Sequence, residues 1–326
     1  MLFMDWPQLF ENGLRFHLTE EELLSLRSFY DRVDKELLER AATAFLDGFP
    51  REEIESHYPD AQDQAGFGLL CVLTARPLLE VHYREHGYPE SMLDDISGDT
   101  AVWVRTLKRD LYGCCGLPLK NLAWTRSCFR GDVVQFGRLQ CNRSHLFSPK
   151  FSLYRSGTEL NILPFGERNN PANPALSWQD KCINLHIPAL GPLKRRDCID
   201  SIRRMTSFFA EFLPDYDYRA VVCYSWFLDP VLRGLLDPSS NILAFQTLGH
   251  NWRWQEMDQT GNVLWRIWGD AGTEAGLDHV DRLEQKNSLQ RNVVSYLKNG
   301  GRFTEGVLII FRDELPDLFR EPEQTN

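Results

Sequence analysis

Cys182-Ile-Asn-Leu-His-Ile-Pro-Ala-Leu-Gly-Pro-Leu-Lys-Arg-Arg196 is the stretch that decides the fold. Its first half, up to Ile187, predicts a strand, and Gly191-Pro192 predicts a tight turn. From Lys194 to Phe212, Ile199, Ile202, Met205, Phe209 and Phe212 recur at three- and four-residue spacing, the apolar stripe of an amphipathic helix. A strand that feeds a helix through a tight turn leaves backbone N–H groups unpaired at the helix start, a ready place for phosphate. Lys194, Arg195 and Arg196 fall in that first turn, where positive charge opposes the helix dipole unless an anion compensates. Between Lys194 and Arg204 five basic residues stand against two acidic ones, Asp197 and Asp200, giving +3 in a chain whose net charge is −10. A solvated basic helix face explains the same charges, so both readings stay open.

Further strand-like runs surround this unit: Val133 to Cys141, Phe151 to Tyr154, Glu159 to Leu163, Ala220 to Tyr224, Ile242 to Thr247, Val263 to Trp268 and Val307 to Phe311. A second helical pattern runs from His279 to Leu297 and stops at Gly300-Gly301. The stretch from Gly166 to Pro174 is rich in turn residues and reads as a surface loop. Before residue 128 strand signals are scarce. Thr19-Glu-Glu-Glu22 is a capping box ahead of a helix expected to reach Gly48, and further helices are expected over Asp63 to His86 and Thr100 to Leu111. The expected organisation is a helical domain over 1–127 and an α/β (α+β) domain with a mixed sheet over 128–326.

Composition narrows the function classes. The 326 residues are 43% hydrophobic and 25% charged, ordinary for a globular protein. The longest nearly apolar stretch, Ala65 to Ala75, is shorter than the roughly 18 to 20 residues of a membrane span, so no membrane partner is expected. An N-terminus without a basic region, broken by Asp5 and Pro7, does not read as a signal peptide, and a cytoplasmic location is expected. The 46 acidic against 36 basic residues disfavour nucleic acid as a partner. Eight cysteines with no C-x-x-C pair read as reduced, mostly buried thiols.

Several residues could carry chemistry. His82-Tyr-Arg-Glu-His86 matches an inverted zinc-peptidase signature, but it ends against Gly87 and Pro89, so a helix's last turn explains both histidines and no metal is expected. Val221 to Leu232 predicts a strand that ends in Cys223, Tyr224 and Ser225 and enters a helix with Asp229 as N-cap. In open α/β sheets ligands bind at the carboxyl ends of such strands. Tyr224 and Ser225 are candidate proton donors, and His186 is a candidate general base if it faces a cleft. Local hydrogen bonding accounts for each of them equally, and core packing accounts for Trp226. Trp252, Trp254, Trp265 and Trp268 read as a packed hairpin turning at Thr260-Gly-Asn262. The chain has no nucleophile elbow, P-loop or dinucleotide fingerprint.

The same segments resemble bacterial acyltransferase-domain proteins, in which a helical N-terminal domain precedes a domain similar to the GCN5-related N-acetyltransferases. The resemblance is carried by Phe136-Gly-Arg-Leu-Gln140, Asn184-Leu-His-Ile-Pro188 with Gly191-Pro-Leu193, Cys223-Tyr-Ser-Trp-Phe-Leu-Asp-Pro230, Ser240-Asn-Ile242, and Ser288-Leu-Gln-Arg291 with Gly300-Gly-Arg-Phe303. The segments Tyr83 to Pro89 and Asp110 to Leu117 match more loosely. The resemblance implies acetyl-CoA or another acyl-CoA as co-substrate and an amine, small or peptidic, as acceptor. It places Asn184 to Ile187 along the pantetheine, makes Gly191 to Leu193 the phosphate turn, and sets Lys194 and Arg195 beside it. Cys223, Tyr224 and Ser225 then lie near the thioester as candidates to protonate the departing thiolate, with His186 as base. The phosphate loop departs from the superfamily's pattern, having one glycine and a Pro192 that lacks an N–H. The competing class is a non-catalytic binding or regulatory protein on the same scaffold.

Overall fold

The computed structural model describes residues 4–108, 111, 113–146, 151–156, 159–164 and 174–320. Contacts divide the chain into two units, Met1–Gln135 with Pro188–Leu190, and Phe136–Ile187 with Gly191–Asn326.

The first unit is helical: α1 (Trp6–Arg15), α2 (Glu20–Arg32), α3 (Lys35–Thr43), α4 (Arg51–His57), α5 (Ala61–Glu85), α6 (Glu90–Leu107) and α7 (Leu122–Phe129). The Thr19 capping box forms as expected. The single helix expected to reach Gly48 instead breaks at extended Val33, because the Asp34 carboxylate accepts from Leu37 N and starts α3. At the centre of this unit is α5, whose Phe67, Leu69, Leu70, Cys71, Val72 and Leu73 are fully buried. By length and hydropathy α5 could cross a membrane, yet 72% of its apolar window is buried within the protein, as in a core helix.

β1 (Val133–Phe136) spans the division between the units, and the elements of the second unit are β2 (Leu139–His145), β3 (Phe151–Ser156), β4 (Glu159–Pro164), β5 (Lys181–His186), α8 (Arg195–Phe212), β6 (Ala220–Ser225), α9 (Asn241–Gln246), β7 (His250–Asp258), α10 (Thr260–Trp268), α11 (Asp270–Ala275), α12 (Ser288–Lys298), β8 (Thr304–Phe311) and α13 (Leu315–Arg320). Six strands form one sheet in the order β1-β2-β5-β6-β8-β7, and β3 and β4 form a separate ribbon. Only β5 and β6 pair in parallel among the registered neighbours, joined by α8 as the crossover that parallel strands require. Leu153 of the ribbon packs with Cys182, Ala220, Val222, Val307 and Ile309 to form a core on one sheet face.

Four sequence expectations change. Ile242 to Thr247 is α9, not a strand, because the Ser240 hydroxyl accepts from Ile242 N and caps it. Val263 to Trp268 is likewise helical, so the four tryptophans do not share a hairpin: Trp252 and Trp254 lie on β7, Trp265 and Trp268 on α10. Short apolar runs do not distinguish a buried strand from a buried helix. The expected Val133 to Cys141 strand is two, turning at Gly137-Arg138. The helical pattern from His279 is interrupted, and α12 begins only at Ser288, behind a capping box of Asn287 and Gln290. Residues 166–173 of the turn-rich stretch lie outside the described residues.

Asp229 was expected to cap a helix, and it does more. Fully buried, its carboxylate accepts from Val231 N at 3.0 Å, from Thr304 N at 2.8 Å and from the Thr304 hydroxyl at 3.2 Å, and it pairs with Arg253 Nε at 3.3 Å. It thereby ties the turn after β6 to the start of β8 and to β7. Replacing Asp229 by Ala strands a buried N–H and a half-buried guanidinium, so Asp229→Ala should lose about 3 kcal/mol or more in urea unfolding, well beyond the roughly 1 kcal/mol of a lost cap.

Candidate functional site

The parallel pair β5 and β6 keeps register from Cys182↔Ala220 to Leu185↔Cys223 and then parts. Beyond that point β6 continues against β8, with Tyr224↔Val307 and Ser225↔Gly306. On the other side, β5 stays paired with β2 through Gln140↔His186. The gap therefore opens between His186 and Tyr224. The next residues enforce it, since Pro188 has no N–H to offer a neighbour and Ser225 turns into a 3-10 helix whose first free N–H, that of Phe227, its own hydroxyl caps at 3.2 Å.

Register and alternation sort the candidates by face. Asn142 and Asn184 stand directly opposite, and His186, Tyr224 and Val307 extend their face across the sheet, as do Trp252 opposite Val307 and Trp254 opposite Glu305. Cys223 and Ser225 project to the other face. Burial along the shared face is complete at Cys182, Ala220, Val222 and Ile309 but only partial at His186, Tyr224, Trp252, Trp254 and Glu305. The face thus becomes accessible at the carboxyl end of β5 and β6, where the strands separate.

His186 Nε2 lies 2.8 Å from Asn142 Oδ1, and Asn184 Nδ2 lies 3.3 Å from the same oxygen. Asn184 Nδ2 also lies 3.3 Å from His186 Nε2, so this ring nitrogen stands between an acceptor, Asn142 Oδ1, and a donor, Asn184 Nδ2. Burial pushes the His186 pKa down to about 4, and the ring is neutral at neutral pH. Asn184 Oδ1 is buried and has no hydrogen-bond partner among the described residues. Cys223 is fully buried, with its thiol pushed up by desolvation, and so is neither nucleophile nor acid here. The Ser225 hydroxyl is the cap already described, which leaves Tyr224 as the strand-end candidate that shares a face with His186.

The turn before α8 is built as an anion site would be. Gly191 adopts φ +98°, a conformation that excludes side chains, and Leu193 is buried beneath it. Lys194 is the exposed N-cap of the 18-residue helix α8, and its side chain gives no cap. Arg195 turns its guanidinium to Thr247 Oγ1 at 3.2 Å, at the end of α9. Ile187 is half-buried between β5 and the turn.

Sequence reading missed three participants. Arg138, in the Gly137-Arg138 turn between β1 and β2, donates to Gly191 O at 2.8 Å and to Pro192 O at 3.1 Å, bracing the turn before α8. Asn142 Oδ1 is the 2.8 Å partner of His186 Nε2. Glu305, on the face of Tyr224, has its carboxyl pushed up to about 7 by burial and accepts from Gln259 Nε2 at 2.6 Å. Only the Phe136 to Gln140 motif carried a signal for any of these; Asn142 and Glu305 acquire meaning from strand register alone.

Elsewhere, His82 and His86 occupy the last turn of α5, their rings 4.1 Å apart, and among the described residues no cluster of metal-binding side chains forms. A cavity of about 690 Å³ lies within the helical unit, but its charges pair with one another, Arg76 with Glu80 at 3.0 Å and Arg15 with Glu80 at 3.4 Å.

The fold has solved counterparts. An acyltransferase in complex with decanoyl-CoA is 20% identical, with 91% of this chain and 85% of that chain covered and a TM-score of 0.63. An acyltransferase in complex with decanoyl-CoA and teicoplanin is also 20% identical, with 92% and 86% covered and a TM-score of 0.65. A mutant acyltransferase in complex with octanoyl-CoA aligns over 92% and 86% at 20% identity, with a TM-score of 0.64. At this identity the likeness establishes the fold. No curated protein matches the chain. The family model of the GNAT-like C-terminal domain matches residues 133–308, more than half of the chain and the whole span from β1 into β8. By that match, the chain belongs to the family of the GNAT-like C-terminal domain.

Proposed function

We propose that this protein transfers an acyl group from an acyl-CoA to an amine. The observation that carries the reading is the separation of β5 from β6 after Leu185↔Cys223, directly before the turn that leads into the N-terminus of α8. A strand edge released in this way offers backbone groups to an amide-bearing chain such as pantetheine, and the helix start offers N–H groups to its pyrophosphate. Asn184 Oδ1, buried without a partner, is the acceptor that a pantetheine N–H would satisfy. Asn184 to Ile187, Gly191, Leu193, Lys194 and Arg195 form the donor site in this reading, with Arg138 holding the turn in shape.

Attack of the amine on the thioester carbonyl forms the C–N bond and breaks the C–S bond, and the thiolate needs a proton. Tyr224, beside the parting and facing His186 across it, is the proton donor in this scheme. His186 is a weaker base than its ordinary pKa promises, because burial disfavours the imidazolium. Hydrogen-bonded to Asn142 and 3.3 Å from Asn184 Nδ2, the neutral ring shapes the wall of the site rather than serving as its base. The acyl chain has apolar surface to lie on: Leu160, Ile162, Trp252 and Trp254 pack partly buried beside Tyr224. Related folds hold decanoyl- and octanoyl-CoA, so medium-chain donors rank beside acetyl-CoA.

Calorimetry with CoA and with acetyl-, octanoyl- and decanoyl-CoA tests the donor site. Micromolar binding is expected, weakened at least tenfold in a Lys194→Ala, Arg195→Ala double variant. No binding at millimolar ligand would favour a non-catalytic protein on this scaffold. A second expectation concerns pH. The folded-state pKa of His186 lies below the unfolded value near 6.5, so the unfolded chain binds more protons between them. The neutral ring's contribution is complete above pH 6.5 and is lost as pH falls towards 4, by roughly 3 kcal/mol in full. His186→Gln should therefore flatten the fall in urea midpoint between pH 7 and pH 5, and an unchanged slope would count against a buried neutral imidazole.

A further inference from the structure

We propose that Glu305 is the catalytic base of the acyl transfer, the group that receives the proton released when the acceptor amine attacks. The inference rests on the acyl-transfer reading and adds the residue which that reading leaves unassigned. The carboxyl ends of β5 and β6 and the amino end of antiparallel β8 lie at one edge of the sheet, so β8 brings Glu305 to the edge where β5 and β6 separate. Tyr224 pairs with Val307, which makes Glu305 its diagonal neighbour, about 7–8 Å away between backbones and within reach of long side chains. Alternation puts both on the same face. Trp254 stands directly opposite Glu305, and Trp252 and the partly buried Leu160 and Ile162 pack nearby on that face.

This apolar setting explains a carboxyl pushed up to about 7, which leaves it divided between base and acid near neutral pH. The titratable groups around it are Tyr224 on β6, Cys223 on the other face of that strand, His186 on β5, and Glu256 and Asp258 beyond the bulge of β7. Arg253 projects to the opposite face, held by Asp229 and Thr304. Gln259 orients the carboxylate through its 2.6 Å bond to Oε2, and Asn262 in turn donates to Gln259 Oε1 at 2.8 Å. The proton balance closes: the attacking nitrogen gives its proton to Glu305, Tyr224 gives one to the thiolate, and Glu305 returns its proton through solvent to Tyr224.

The test uses the full chain, acyl-CoA binding by calorimetry, and thiol release from decanoyl- or acetyl-CoA with ethylamine as the probe amine between pH 5 and pH 9. Wild type should show a rate that rises with pH through a limb near 7. Glu305→Gln, which removes the charge but keeps a partner for Gln259, should bind acyl-CoA within about twofold of wild type, release thiol at least 100-fold more slowly at pH 7 and lose that limb. A variant within threefold of wild type, or one that keeps the limb, would overturn the proposal. So would a wild type that binds acyl-CoA but releases thiol no faster than buffer. Absent acyl-CoA binding would instead remove the transfer reading itself, and this inference with it.

Discussion

The buried carboxylate of Asp229 holds together the corner on which the candidate site depends. Its two oxygens collect the N–H of Val231, the N–H and hydroxyl of Thr304, and the guanidinium of Arg253, so one charged group fixes the turn leaving β6, the first residue of β8 and a side chain of β7. Such a charge is stable inside a protein only when its lone pairs are nearly all used, and here they are. The packing is equally close in the backbone. A Cβ at Gly306 would stand 2.0 Å from the carbonyl carbon of Leu228, so the strand meets the turn at a distance that only glycine permits. Glu305 lies between Thr304 and Gly306, and its position is set from both sides.

That corner determines what β6 does next. After Ser225 it leaves the sheet for that turn, while β5 runs into Ile187-Pro188, where the proline has no N–H for a neighbouring strand. The pairing of β5 with β6 therefore ends, leaving polar groups at the carboxyl edge. Asn184 Oδ1 is one such group, buried and unsatisfied, a cost of about 1–3 kcal/mol that a bound amide would relieve. His186, Tyr224 and Glu305 line the same face with environments that differ in kind: a desolvated imidazole kept neutral, a phenol at the rim, and a carboxyl raised towards neutrality by its aromatic surroundings. Groups whose protonation is pushed apart or into the working range are what proton transfer at a thioester needs.

The turn ahead of α8 follows the same economy. Its loop holds Pro192, which has no N–H to donate; Gly191 supplies the positive φ of the turn, and Arg138 secures the loop's carbonyls. In the proposed donor site the phosphate groups would meet the first turn of the helix and the exposed Lys194 rather than a glycine-rich nest.

The sequence by itself determined the helical first part, the Cys182 to Arg196 strand-turn-helix and the Ala220 to Ser225 strand, because periodicity, Gly-Pro turns and caps act over a few residues. The family likeness was legible in the same motifs, which also placed His186 and Tyr224 near the ends of two strands without giving the face of either. Only tertiary structure decided whether 242–247 and 263–268 are helix or strand, since short apolar runs satisfy either until their neighbours are known. It alone separated Tyr224 from Cys223 and Ser225, because face is a property of register with β8, and it alone lowered the His186 pKa by burial. Asn142 and Glu305 are 42 and 121 residues from Asn184 in the chain, and nothing local marks either; pairing between distant strands brings them to the site.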